Sequence, residues 1–342
     1  MHRKRLLPLA ALALVAAVAF TVFGGAGSAA PKATFKAALV SDVGRFNDKG
    51  FNQNQLTGLK LAGSKLKVTI RGVESHAASD YIPNMAAMAR QGNGIVISAG
   101  FLLADATKTM AAKFPKTKFA ITDYSAKGAP FNGTLKNVEG LTYASQEQSY
   151  RVGCLAALMA KKDGGNQISV VGGVKIPPVD TFIAGYQAGA NKCVAGTIVK
   201  IDYSQDFLAQ DKCKELALNQ IAAGSKVVFN VAGPCGLGTL SAAKEKGVWG
   251  IGVDVDQSYL GSHILTSAVK RVDRGVFLAV QGAMTGKGFK GGGDLVFNLK
   301  NSGVALGKIS PQVPAAYVTQ LNTLKKQIIA GTIKPPTVVT GG

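Results

Sequence analysis

Histidine is nearly absent from this 342-residue chain: only His2, His76 and His263 occur. A Ser-His-Asp triad or a paired-histidine metal site therefore has almost nothing to draw on. No HExxH, GxSxG, CxxC or GxxxxGK[ST] run is present, and no GxGxxG stands between a strand and a following helix. Zinc hydrolases, nucleophile-elbow esterases, dinucleotide sites and ATP sites thus lack their signatures. Catalysis, a metal and a cofactor are all not expected. Cysteine is missing before Cys154, so no lipid-modified N-terminal cysteine is expected. After Phe23 no second long apolar run occurs, and the remainder of the chain is expected to be soluble. Acidic residues are also few, 19 Asp+Glu against 39 Lys+Arg, for a net charge of +20. The lysines are scattered, which argues against a nucleic-acid groove. A basic exterior suits an anionic cell envelope better than it signals an acidic ligand, because acidic residues dominate the loops that follow strands.

What is present begins with MHRKR, an apolar run from Leu6 to Phe23 and the small residues GGAGSAAP. That order reads as a signal peptide over 1–30, with a retained N-terminal anchor as the competing reading, and places the protein outside the cytoplasm. About 310 residues then remain, enough for two lobes or one large domain. Four cysteines, Cys154, Cys193, Cys213 and Cys235, would meet an oxidising compartment and pair. Cys193 ends one predicted helix and Cys213 lies in the next, so the expected pairs are Cys193–Cys213 and, by remainder, Cys154–Cys235.

Short apolar runs alternate with helical segments: AALVSD, KVTIRG, GIVISAG, KFAITD, ISVVGG, TIVKIDY, KVVFNVAG and WGIGVD. This alternation indicates an α/β fold built on parallel sheets. The series runs twice, to Asp123 and again from Ile168 to Asp254, with NVEGLTYAS between. Several strands end in Asp or Gly: Asp42, Asp123, Gly172-Gly173, Gly233 and Asp254. Singly these are ordinary helix caps. Together they suit a ligand site, since open α/β sheets bind ligands beyond their strand carboxyl ends. The loop DVGRFNDKGFN, from Asp42 to Asn52, crowds acids, amides and two phenylalanines after the first strand. Phe51, Phe101 and Phe182 all lie beside strand ends, where two rings would sandwich a planar base.

The chain resembles the basic membrane protein (BMP) family of ABC-transporter solute-binding proteins, which contains purine-nucleoside receptors. The resemblance rests on SDVGRFNDKGFNQ, ISAGFLLADA, FAITD, SYRVGCLAAL, GGVKIPPVDTFIAGYQAGA, GVDVDQ and LTSAVKRVD. It implies a periplasmic binding protein type 1 fold, two Rossmann-like lobes with three crossovers. The lobes are expected over 35–145 plus 266–300 and over 146–265 plus 301–340. By motif match, Phe51 and Phe182 would stack on the base and Asp42, Asn47 and Asp123 would bond its edge. Asp254 and Lys270 would hold the ribose hydroxyls, and Gly233 would let backbone approach the sugar. The implied partners are a nucleoside and an ABC permease in the membrane, with the protein itself a monomer. Arg45 stands where relatives usually carry Gly and motivates the alternative of a phosphorylated nucleoside. A sugar ligand, or a nucleoside hydrolase or phosphorylase, are the other readings left open.

Overall fold

A computed structural model describes residues 34–340; the expected signal peptide or anchor, 1–30, lies outside them. The chain begins β1 (Lys36–Ser41), α1 (Phe51–Leu66), β2 (Thr69–Val73), α2 (Tyr81–Arg90), β3 (Ile95–Ala99), α3 (Ala104–Lys113), β4 (Lys118–Thr122) and β5 (Val138–Tyr143). It continues α4 (Ser145–Lys162), β6 (Gln167–Gly172), α5 (Pro177–Cys193), β7 (Ile198–Tyr203), α6 (Gln210–Ala222), β8 (Val227–Val231), α7 (Gly236–Lys246) and β9 (Trp249–Asp254). The last elements are β10 (Ile264–Lys270), α8 (Val272–Thr285), β11 (Gly293–Phe297), β12 (Val304–Leu306) and α9 (Ala315–Ile329).

The central strands carry continuous Val, Ile and Ala because both of their faces are covered by helices, so β3 and β8 are buried throughout. Helix limits follow local chemistry. Pro177 and Pro178 open α5, where a missing N–H costs nothing. Gly247 ends α7 in a left-handed turn, φ 65°.

The strands form two sheets of the same winding. The first runs β2-β1-β3-β4-β5-β11, parallel throughout. The second runs β7-β6-β8-β9-β10-β12, parallel except for β12, which pairs antiparallel with β10. The expected α/β class and twofold series are both present. The chain passes between sheets after β5, after β10 and after β11. The crossings leave from one edge of each sheet, since β5 and β11 are neighbours in the first and β10 and β12 in the second.

Two expectations are corrected. The lobe boundary at 265/266 falls inside β10, which is a strand of the second sheet from Ile264 to Lys270; the chain returns to the first lobe only at Arg271. The disulfides are Cys154–Cys193 and Cys213–Cys235, not Cys193–Cys213 and Cys154–Cys235. The strand order supplies the reason. Going β6 to β7 moves outward and β7 to β8 moves back across β6, so right-handed crossovers put α5 and α6 on opposite faces. Cys193 therefore meets Cys154 of the adjoining α4, while Cys213 meets Cys235 at the entry to α7. Helices α4 and α5 approach closely through glycine: a Cβ on Gly153 would lie 1.9 Å from the Tyr186 carbonyl oxygen.

Candidate functional site

The strand carboxyl ends of both sheets face one cleft, whose empty space is about 650 Å³ with its open mouth included. Ser41 ends β1, and Asp42 follows it into the cleft. One carboxylate oxygen of Asp42 accepts from Gly44 N at 2.9 Å and Asn52 Nδ2 at 2.8 Å. Its other oxygen faces Gly100, where a Cβ would approach to 3.4 Å. Burial raises the Asp42 carboxyl to about 6, against the lowering effect of those two bonds. Asp48 caps α1, accepting from the backbone N–H of Gly50, Asn52 and Gln53 at 2.8 to 3.0 Å. That cap places Phe51, the first residue of α1, at the cleft.

Asp123 and Asp254 stand at equivalent places, just after β4 and at the end of β9, and both have φ 63°. Aspartate tolerates this left-handed turn better than most side chains, and the turn aims each carboxylate away from the strand. Between them lies Lys270, the last residue of β10. Its Nζ donates to Asp123 Oδ2 at 2.7 Å and lies 3.5 Å from Asp254 Oδ1. The ammonium is also 4.7 Å from the Phe51 ring centroid and 5.2 Å from that of Phe182. Burial pulls the lysine down, but the two carboxylates outweigh it and hold Lys270 above its ordinary value. Burial likewise raises Asp254 to about 6 in spite of Lys270, and its Oδ1 has no hydrogen-bond partner among the described residues.

Asp42, Phe51, Asp123, Phe182, Gly233, Asp254 and Lys270 all line this cavity. Asn47 does not: it is exposed, because the turn that buries Asp48 as the helix cap directs its neighbour outward. Arg45 is exposed and outside the lining as well. Asn52 instead supplies the amide near Asp42, with its Oδ1 buried and unpartnered among the described residues. Phe207 and Pro234 also line the wall. Sequence reasoning singled out the loop from Asp42 to Asn52 but took Asn47 as its amide, and it passed over Phe207, which sits in a loop with no distinguishing motif. The arrangement offers carboxylate and amide acceptors at one end, a carboxylate–lysine pair at another and rings from both lobes between them.

The family model described as "ABC transporter substrate-binding protein PnrA-like" (Bmp) matches residues 35–337. An ABC transporter nucleoside-binding protein of Lactococcus lactis is 33% identical over 334 residues, 89% of this chain and 92% of its own. A CD4+ T-cell-stimulating antigen of Listeria monocytogenes is 30% identical over 325 residues, 88% of each chain. Among solved structures, an ABC transporter solute-binding protein of Aeropyrum pernix superposes with a TM-score of 0.79 at 24% identity, covering 88% of this chain and 94% of its own. That likeness establishes the periplasmic binding protein type 1 fold.

Proposed function

Because the chain belongs to the Bmp family of ABC transporter substrate-binding proteins, we propose that its interlobe cavity captures a purine nucleoside outside the cytoplasm and that the closed form delivers it to a membrane permease. Solute binding, not catalysis, is the role of this family. The observation that carries the reading is the position of Phe51 and Phe182. One ring comes from each lobe, and both lie within cation–π distance of the Lys270 ammonium. A planar base entering between them brings the lobes together by stacking, and closure becomes conditional on the ligand.

The polar groups fit a neutral ligand rich in donors. Asp42 and the free Asn52 Oδ1 accept N–H groups of a base edge. Asp254, whose Oδ1 makes no hydrogen bond among the described residues and lies 3.5 Å from the Lys270 ammonium, accepts from vicinal hydroxyls of ribose, and Lys270 donates to them. Four carboxylates and one lysine line the cavity, which opposes a phosphate, and Arg45 is not among the lining residues.

A thermal-shift panel on the purified protein tests the reading, with guanosine, inosine, adenosine, free bases, nucleotides and pentoses. Ligand at about a hundred times its Kd stabilises by roughly 2.7 kcal/mol, a rise of a few degrees in a chain of this size. The expected result is a rise with purine nucleosides and none with nucleotides. A rise with pentoses alone would discard the stacked-base site.

A further inference from the structure

We infer that the Cys213–Cys235 disulfide is a positioning pair for the cavity: it fixes the wall of Phe207, Gly233 and Pro234 and so acts on nucleoside affinity without touching the ligand. The inference rests on the nucleoside reading above and concerns the side assigned to the sugar.

That wall is built from the loops after β7 and β8: the first is pinned to the end of β6 by Ser204 N and Gln205 N donating to the Gly172 and Gly173 carbonyls at 2.9 and 3.1 Å, whereas the second has few bonds of its own. Gly233 is left-handed, φ 55°, and carries no side chain, and Pro234 has no N–H to donate. The loop is tied by Ala232 N donating to Asn230 Oδ1 at 3.0 Å and by Cys235 N donating to the Phe207 carbonyl at 2.9 Å. Phe207 in turn lies over bare backbone, since a Cβ on Gly173 would fall 2.4 Å from its ring. The covalent link to Cys213 adjoins Pro234 directly. Both cysteines are fully buried, and their Cα atoms are 5.6 Å apart. Cys213 lies one turn into α6, whose start is held by Asp206 accepting from Leu208 N and Ala209 N at 2.7 and 3.1 Å. The bridge thus locks the Phe207 loop to the Gly233–Pro234 loop, which keeps the wall ordered before ligand arrives and lowers the ordering cost of binding.

The second bridge is an internal control. Cys154–Cys193 joins α4 to the far end of α5, about three helical turns, roughly 16 Å, beyond Phe182. It braces the same lobe without reaching the cavity.

The experiment compares Cys213→Ala/Cys235→Ala with Cys154→Ala/Cys193→Ala, measuring Kd and dissociation rate for guanosine and guanine well below either Tm. Amide exchange of the ligand-free proteins is followed in parallel. Removing the Cys213–Cys235 bridge is expected to weaken guanosine about tenfold, mainly through faster dissociation, and guanine by less than about twofold. Exchange should rise selectively at 206–209 and 232–238. Removing the other bridge should lower Tm and leave both Kd values unchanged. Equal guanosine affinities in the two double variants would reduce the bridge to a staple of the fold and overturn the inference. If the wild type binds neither guanosine nor guanine, the nucleoside reading fails and exchange decides alone: unchanged protection at 206–209 and 232–238 overturns the positioning role. Should the alanine variant not fold, Cys213→Ala/Cys235→Val removes the bond while filling the buried volume, and wild-type dissociation and protection in that variant would count against the inference.

Discussion

Phe51 and Phe182 face the same cavity but differ in what else they hold. Phe51 is half-buried at the first position of α1, whereas Phe182 is 2% exposed and sits 6.4 Å from Phe229 in the core of the second lobe. Phe51→Ala is therefore expected to cost about 1 to 3 kcal/mol of nucleoside affinity with little change in Tm. Phe182→Ala should lower both, stability by as much as roughly 3 to 5 kcal/mol; calorimetric titration beside a melting curve separates the two. The acids carry a pH signature. Burial lifts Asp42 and Asp254 from 3.8 to about 6, so between those values the folded chain holds more protons than the unfolded one. Their contribution to folding is best below that window and declines as pH rises through it. Binding has the opposite sign, because donors on a ligand need ionised carboxylates. Guanosine affinity should fall by about tenfold between pH 7 and pH 5 for each proton taken up, and Asp42→Asn should flatten that profile. A flat wild-type profile would remove these acids from the contact set. Strand-end Asp42, Asp123 and Asp254 were legible as candidates because an acid after an apolar strand has a fixed place. Asn47 and Asn52 were not separable, since which amide turns inward is decided by the Asp48 cap.

At the level of elements, alternation of apolar runs with helical segments exposed most strands and helices, because a parallel strand covered on both faces must be apolar along its length. β5 and β12 were missed. NVEGLTY contains a buried charged residue, Glu139, whose carboxylate accepts from Lys290 N on the loop before β11, a tertiary compensation invisible in the local pattern. Disulfide pairing was lost for a similar reason: neighbouring helices in sequence are opposite in space wherever strand order reverses. Helix contact also rests on absent side chains. Gly153 of α4 lies against the backbone of α5, and a methyl there would meet the Tyr186 oxygen at 1.9 Å. Gly153→Ala should force α4 and α5 apart and cost about 1 to 3 kcal/mol or more, read as a lowered Tm. Guanosine affinity measured well below that Tm should change little, since neither Gly153 nor Tyr186 lines the cavity; unchanged Tm would mean that the helices separate freely.

For the whole molecule, the decisive contact is the one that joins the lobes. Lys270 belongs to the second sheet and Asp123 follows β4 of the first, so their 2.7 Å bond crosses the cleft, with side chains only 4% and 8% exposed. Asp254, the other acid near Lys270, lies in the same lobe as the lysine. These two partners have different consequences. Breaking a buried pair usually strands a charge at a cost of about 3 to 5 kcal/mol. Here Asp254 remains to hold the ammonium, and the loss falls on the link between lobes rather than on the folding of either. Asp123→Asn should accordingly leave Tm close to wild type while shifting the ligand-free protein toward open forms, seen as a larger radius of gyration in X-ray scattering. Saturating guanosine, which adds stacking on Phe51 and Phe182, should bring variant and wild type to the same compact value at a higher Kd for the variant. If the ligand-free radius does not change, closure is governed by the apolar cleft walls and the ion pair only orients Lys270. If the radius grows and ligand cannot restore it, Asp123 is needed in the closed complex itself, as a group that touches the ligand.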